Sequence, residues 1–291
     1  MYTSNDHPRM KEMPWPSGFG PAGRGRTVFF TMVPFLSVMA ITGFAMSASG
    51  VRQGDFTLAV FGLLSALFAL SFIPVAIRIY RSRRRSLPHL RIREMSHGET
   101  AVSIPRWRWF STITAVMLVT AIAAAGYYAY TLASKDPSTP QTIVRGPMAP
   151  ILLIVAASIA VWLMIRLAYT AGKEKGLWLS PSGLRVSNGL MCQSVDWVNV
   201  VAVDAAAQPR FATIKVASRP GTIDLVWASM WARKKSRFWL VEVYTLEFDM
   251  DSALLYHLIY FYWKHPDLRA ELASDAVMAR VRSGQVLDQT G

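Results

Sequence analysis

Four long stretches without a charged side chain constrain this chain more than any other feature of its 291 residues. Residues 27–50, 56–77, 110–134 and 146–165 contain no Asp, Glu, Lys or Arg. A helix rises about 1.5 Å per residue, so ~20 apolar residues match the ~30 Å hydrocarbon core of a bilayer. Length and composition therefore predict an α-helical membrane protein with four transmembrane helices, at about 27–50, 56–80, 110–134 and 147–171. A basic loop, 81–109, joins the second and third, and a piece long enough for one small domain, 173–291, follows the fourth.

The net charge of +13 is unevenly placed. Arg9, Lys11, Arg24 and Arg26 precede the first apolar run. Arg78, Arg81, Arg83, Arg84, Arg85, Arg91, Arg93, Arg106 and Arg108 lie between the second and third. The other two connections hold only Arg52, Lys135 and Arg145. Lys and Arg near span ends stay inside, so the expectation is a cell-membrane, multi-pass protein with both termini cytoplasmic. The first apolar run is too long for a cleaved leader and reads as a retained anchor. The C-terminal piece carries 14 basic and 12 acidic residues, so its overall balance argues against a nucleic-acid partner. Anionic inner-leaflet lipids are the expected partner of the membrane-adjacent cations. Candidate contacts are Arg81, Arg83, Arg84 and Arg85, and a second cluster at Arg233, Lys234, Lys235 and Arg237. Trp107, Trp109, Trp231 and Trp239 are candidate interface anchors.

Residues 1–26 are rich in Pro, Gly and Ser and read as a disordered tail. Their Gly18-Phe19-Gly20-Pro21-Ala22-Gly23 matches GxGxxG, but no strand precedes it, so the nucleotide reading fails. In the basic loop, 90–93 and 100–104 alternate apolar and polar residues around His97-Gly98, as a short hairpin would. After residue 172 the pattern becomes one of strands and turns. Gly176-Leu177-Trp178-Leu179 runs into Ser180-Pro181-Ser182-Gly183, a tight turn, and Leu184-Arg185-Val186 returns. Asn188-Gly189 is a hairpin signal. Further strands are expected at 198–203, 211–217, 222–227 and 238–248. Leu254, Leu255, Leu258, Ile259 and Tyr262 then share one helix face, with Asp251 or Ser252 as N-cap. Pro266 stops that helix, and residues 274–291 form a partly helical tail.

The run Gly-Leu-Trp-Leu-Ser-Pro-Ser-Gly-Leu-Arg-Val at 176–186, followed by Val195-Asp196-Trp197-Val198-Asn199-Val200, resembles the bacterial pleckstrin-homology-like domain. The ending Tyr262-Trp263-Lys264-His265-Pro266-Asp267-Leu268-Arg269-Ala270-Glu271-Leu272 resembles the closing helix of actinobacterial multi-pass membrane proteins that carry such domains. The resemblance covers about residues 174–273. It implies a mainly antiparallel split barrel closed by a C-terminal helix, in a group mostly without assigned activity. The turn at 180–183 holds no Lys or Arg, which argues against inositol-lipid recognition at the loop that eukaryotic relatives use.

No phosphate-binding loop, HExxH, GxSxG or CxxC occurs, and the single cysteine, Cys192, allows no internal disulfide. His257 and His265 stand eight apart, too far for an i,i+4 metal pair. No catalytic residue, metal site or cofactor is expected. The chain reads as a non-enzymatic, membrane-anchored scaffold that presents the 173–273 domain to an unknown membrane or cytoplasmic protein. Tyr256, Tyr260 and Trp263 are the candidate partner surface. A lipid-binding or transport-accessory subunit of an envelope complex is the alternative, and an intramembrane enzyme a weaker one.

Overall fold

Two compact units share the chain, and each is built from separated stretches of sequence. One comprises Met1–Gly25, Arg81–Trp107 and Gly172–Gly291, and the other Arg26–Tyr80 and Arg108–Ala171. The structure, a computed structural model, describes residues 13–21, 24–80, 90–95, 98–107, 173–208, 211–230 and 238–287, with isolated positions between 113 and 165.

The first unit is a β structure. Its larger sheet has six antiparallel strands in the order β1 (Arg91–Glu94), β2 (Thr100–Pro105), β3 (Gly176–Leu179), β4 (Gly183–Ser187), β5 (Met191–Asp196), β8 (Asp224–Ala228). A second sheet orders β6 (Val200–Gln208), β7 (Phe211–Ser218) and β9 (Leu240–Tyr244). Alternation along the strands supplies the core. Val102, Ile104, Leu177, Leu179 and Leu184 from the larger sheet are fully buried, as are Ile214, Val216, Val241 and Val243 from the smaller. Helix α3 (Ser252–Lys264) adds Leu254, Leu255, Leu258, Ile259 and Tyr262 to the same core. Asp251 caps it, accepting from the Ala253 and Leu254 amides at 2.9 Å. The helix ends before Pro266, which disfavours helical geometry at His265 and starts a 3-10 stretch, Pro266–Ala273.

This unit exceeds the 173–273 range read from the sequence in three ways. The 91–105 hairpin is not a loop feature but two strands of the larger sheet, with Ser103 opposite Trp178. The tail after 273 forms α4 (Ala276–Ser283), which buries Val277 and Val281, and Val286 follows. The N-terminal tail, expected to be disordered, holds a 3-10 turn at Ser17–Phe19, and Phe19 is 4% exposed within the common core. Gly18 lies so close to β6 that a Cβ there would collide with the Ala205 carbonyl oxygen.

In the second unit, α1 (Arg24–Gln53) and α2 (Phe56–Tyr80) form a helical hairpin. Gly54, at φ 71°, makes the turn, and Asp55 Oδ1 accepts from the Leu58 amide at 3.0 Å to cap α2. Gly43 and Gly62 face each other so closely that a Cβ on Gly43 would lie 2.7 Å from the Gly62 oxygen. Small residues thus bring the two backbones together. Leu36, Ala40 and Ala69 pack between them, while Phe30, Phe35 and Ile41 are more than half exposed.

The expectation of four transmembrane helices is corrected here. Among the described residues only Phe29–Gln53 is long and apolar enough to cross a membrane. α2 runs 25 residues, Phe56–Tyr80, within which Leu58–Pro74 is a shorter apolar helical stretch. The runs expected at 110–134 and 147–171 lie largely outside the described residues.

Candidate functional site

The face of the larger sheet turned away from the core carries the chemistry. Leu177 and Leu179 point inward on β3, which sends Trp178 outward. Leu184 and Val186 do the same on β4, sending Arg185 and Ser187 outward. Register then sets Trp178 opposite Arg185, Ser187 opposite Cys192, and Cys192 opposite Trp227. Arg93, Glu94 and Met95 at the end of β1, and Lys173 and Glu174 ahead of β3, complete a cleft of about 680 Å³. That is the size of a small-molecule site.

Within the cleft, Arg185 Nε donates to Cys192 Sγ at 3.1 Å. Lys173 Nζ stands 4.2 Å from the centre of the Trp227 ring, a cation–π contact. Ser187 Oγ donates to the Glu174 carbonyl at 2.7 Å and ties the strand to the segment before β3. Neither Arg93 nor Arg185 has an ion-pair partner among the described residues. Among the described residues, the basic Arg93, Lys173 and Arg185 and the acidic Glu94 and Glu174 line the space. Burial pushes the Cys192 thiol up, against the opposing pull of Arg185. A thiol held protonated is a poor nucleophile. Among the described residues no cluster of His, Cys, Asp or Glu could hold a metal ion.

The residues singled out from the sequence fall elsewhere. Arg81, Arg83, Arg84, Arg85, Trp109, Trp231, Arg233, Lys234, Lys235 and Arg237 lie outside the described residues. Trp107 is half-buried in the β unit, its amide donating to the Glu247 carbonyl at 2.8 Å. Beside it, Arg106 pairs with Glu247 at 3.3 Å and donates to the Asn188 carbonyl. Trp239 is 49% exposed next to Phe238, at the start of β9.

Tyr256, Tyr260 and Trp263 do share one side of α3, but that side is already engaged within the chain. Phe19 meets Tyr256 edge-on at 5.8 Å, and Trp15 meets Phe19 at 5.3 Å. His257 Nε2 donates to the Pro14 carbonyl at 2.8 Å, and burial lowers the pKa of its ring. Tyr260 stacks on Tyr256, and Trp263 Nε1 donates to the Val200 carbonyl at 3.2 Å. The chain's own N-terminal segment and β6 therefore take up much of what the sequence offered as a partner surface.

Sequence reasoning missed the cleft. The outward positions of β3 and β4 were legible in the alternation, but Arg93 and Trp227 join them only through the sheet order. No protein-family model, no curated protein and no solved structure matches this chain.

Proposed function

We propose that the protein is a non-enzymatic, membrane-anchored binding module, with a pleckstrin-like β unit held at the cytoplasmic face by the α1–α2 hairpin. The observation that carries this reading is the shared core. Phe19, Val102, Ile104 and the residues from Leu177 to Val286 pack into one cluster. Groups in one core lie on one side of a bilayer, so the chain between Phe19 and β1 must cross an even number of times. The long apolar α1 then crosses only if α2 returns. α2 is a 25-residue helix in which no charge precedes Arg78.

Three further points support the reading. Only 17% of the apolar window of α1 is buried by protein, which leaves apolar side chains for lipid. A signal sequence cut after α1 would remove Phe19 from the core it helps to build. The excess of Arg before α1 and after α2, against Arg52 alone in the turn, favours a cytoplasmic β unit. The two antiparallel sheets with α3 in their common core fit the split barrel that the resemblance implies. A buried, protonated Cys192 that accepts from Arg185 is an environment for binding rather than for nucleophilic attack.

The test is extraction of membranes carrying the full chain. An integral hairpin keeps the protein in the pellet after an alkaline carbonate wash. Release of most of the chain into the wash would overturn the anchor.

A further inference from the structure

We infer that the aromatic row of α3, Tyr256, Tyr260 and Trp263, binds a proline-rich segment of another protein in polyproline II form. The inference rests on the reading of the β unit as a binding module and names the class of its partner. Geometry is the first ground. The three residues are spaced by four and then three along one helix, so their rings fall in line. Tyr260 stacks on Tyr256 with ring centres 5.7 Å apart and 26° between the planes. Trp263 meets Tyr260 at 5.6 Å and 66°. Two rings at so steep an angle wall a notch, as in the aromatic-lined grooves that dock prolines. All three side chains are half-buried, and the row is about as long as one three-residue turn of polyproline II, at ~3.1 Å per residue.

Hydrogen bonding is the second ground. A polyproline helix has no internal hydrogen bonds, so its carbonyls need donors from the surface that it docks on. Neither the Tyr256 nor the Tyr260 hydroxyl has a hydrogen-bond partner among the described residues, and both remain open to solvent. Lys264 is exposed, with Nζ 4.5 Å from the centre of the Trp263 ring, and supplies a further donor at the far end of the row.

The third ground is continuity with an interface that the fold already contains. The near end of α3 holds the chain's own proline-rich segment, in which Pro16, at φ −60° and ψ 130°, has polyproline II geometry. His257 Nε2 donates to its Pro14 carbonyl at 2.8 Å, and its Phe19 ring meets Tyr256 at 5.8 Å. Tyr260 and Trp263 offer the same combination of ring and donor one and two turns further on. A ligand there lengthens this interface without displacing the segment. The same segment of a second copy is held by its own α3 at a far higher effective concentration, which favours another protein as the source.

The experiment is fluorescence anisotropy of labelled decaproline titrated with the full chain in neutral detergent, beside a labelled glycine–serine peptide of equal length. Saturable binding of decaproline alone is expected, weakened about tenfold in Tyr260→Ala, which removes one wall and one donor. Tyr260→Phe keeps the ring, should weaken binding about two- to tenfold, and carries the test if Tyr260→Ala fails to fold. No saturable binding, equal binding of the two peptides, or parent affinity in the folded variant would overturn the assignment. Dimerisation of the parent chain that decaproline reverses would assign the row to a second copy and overturn another protein as its occupant. The micelle removes the need for an anchored chain. A protein that resists carbonate but binds no decaproline refutes the row alone, and one that is released yet binds it refutes the anchor alone.

Discussion

Replacing Phe19 by Ala tests whether the N-terminal segment is a structural part of the β unit. The ring is 4% exposed and makes edge contacts with Trp15 and Tyr256. Phe→Ala in a closed core costs about 3–5 kcal/mol, and each aromatic pair accounts for ~0.5–1.5 kcal/mol beyond area burial. Here the loss has a ceiling. The segment from Met13 to Gly20 can detach, so the cost cannot exceed the free energy with which it docks. The Pro14–His257 hydrogen bond and the Trp15 Nε1 bond to the Gly20 carbonyl, at 2.9 Å, add little to that ceiling beyond ~1 kcal/mol each. A value near 3 kcal/mol follows. For a unit of about 170 residues each kcal/mol moves the midpoint by about 2–4 °C, so Phe19→Ala should lower it by ~6–12 °C. Thermal unfolding of the full chain in detergent, followed by tryptophan fluorescence, reads this directly, with the neighbouring Ser17→Ala as the unshifted control. A loss below ~2 °C would refute the reasoning, because less than about 1 kcal/mol means that the segment does not close the core.

Three more outcomes follow from the packing. Leu258→Ala should cost about 2–5 kcal/mol in urea unfolding of the full chain, since the side chain is fully buried in the common core. Asp251→Ala should cost about 0.5–2 kcal/mol in the same measurement, because two amides of α3 lose their acceptor. Arg280 grips both oxygens of Glu271 at 2.6 Å and holds that carboxyl below its ordinary range. A depressed folded pKa stabilises above the unfolded value of ~4.3 and is lost as pH falls through the folded one. Arg280→Ala should therefore cost about 1.5–3 kcal/mol at pH 7, with the gap from the parent chain closing as acid protonates Glu271.

What was legible in the sequence was local. Ser180-Pro181-Ser182-Gly183 does turn β3 into β4, the Ser180 amide donating to the Gly183 carbonyl at 2.9 Å. Asn188-Gly189 does turn β4 into β5, with Gly189 at φ 84° and Asn188 Oδ1 accepting from two amides. The α3 stripe and its Asp251 cap were likewise written in residue type and spacing. Long-range packing was not. Trp15 and Phe19 are isolated aromatics among Pro, Gly and Ser, a composition that predicts disorder, and only a groove made by β6 and α3 gives them somewhere to be buried. Val277 and Val281 are too few to mark α4 as part of a core without the surface they meet. Of the four charge-free runs, the first, at Phe29–Gln53, is long and apolar enough to cross a membrane among the described residues. The runs at 110–134 and 147–171 lie largely outside the described residues. The cleft needed strands from residues 91 to 228 placed side by side, and no motif announces that.

The shared core makes its sharpest claim about sidedness, and cysteine labelling in intact cells tests it. In a Cys192→Ser background, single cysteines replace the exposed residues Ser17, Gln53, Arg91 and Arg282. The account predicts that only the cysteine at position 53, in the turn between α1 and α2, reacts with an impermeant maleimide added outside. Those at 17, 91 and 282 should react only after permeabilisation. Reaction of 17 and 91 from opposite sides, or of 53 from the same side as 282, would contradict a β unit anchored by a hairpin that crosses and returns.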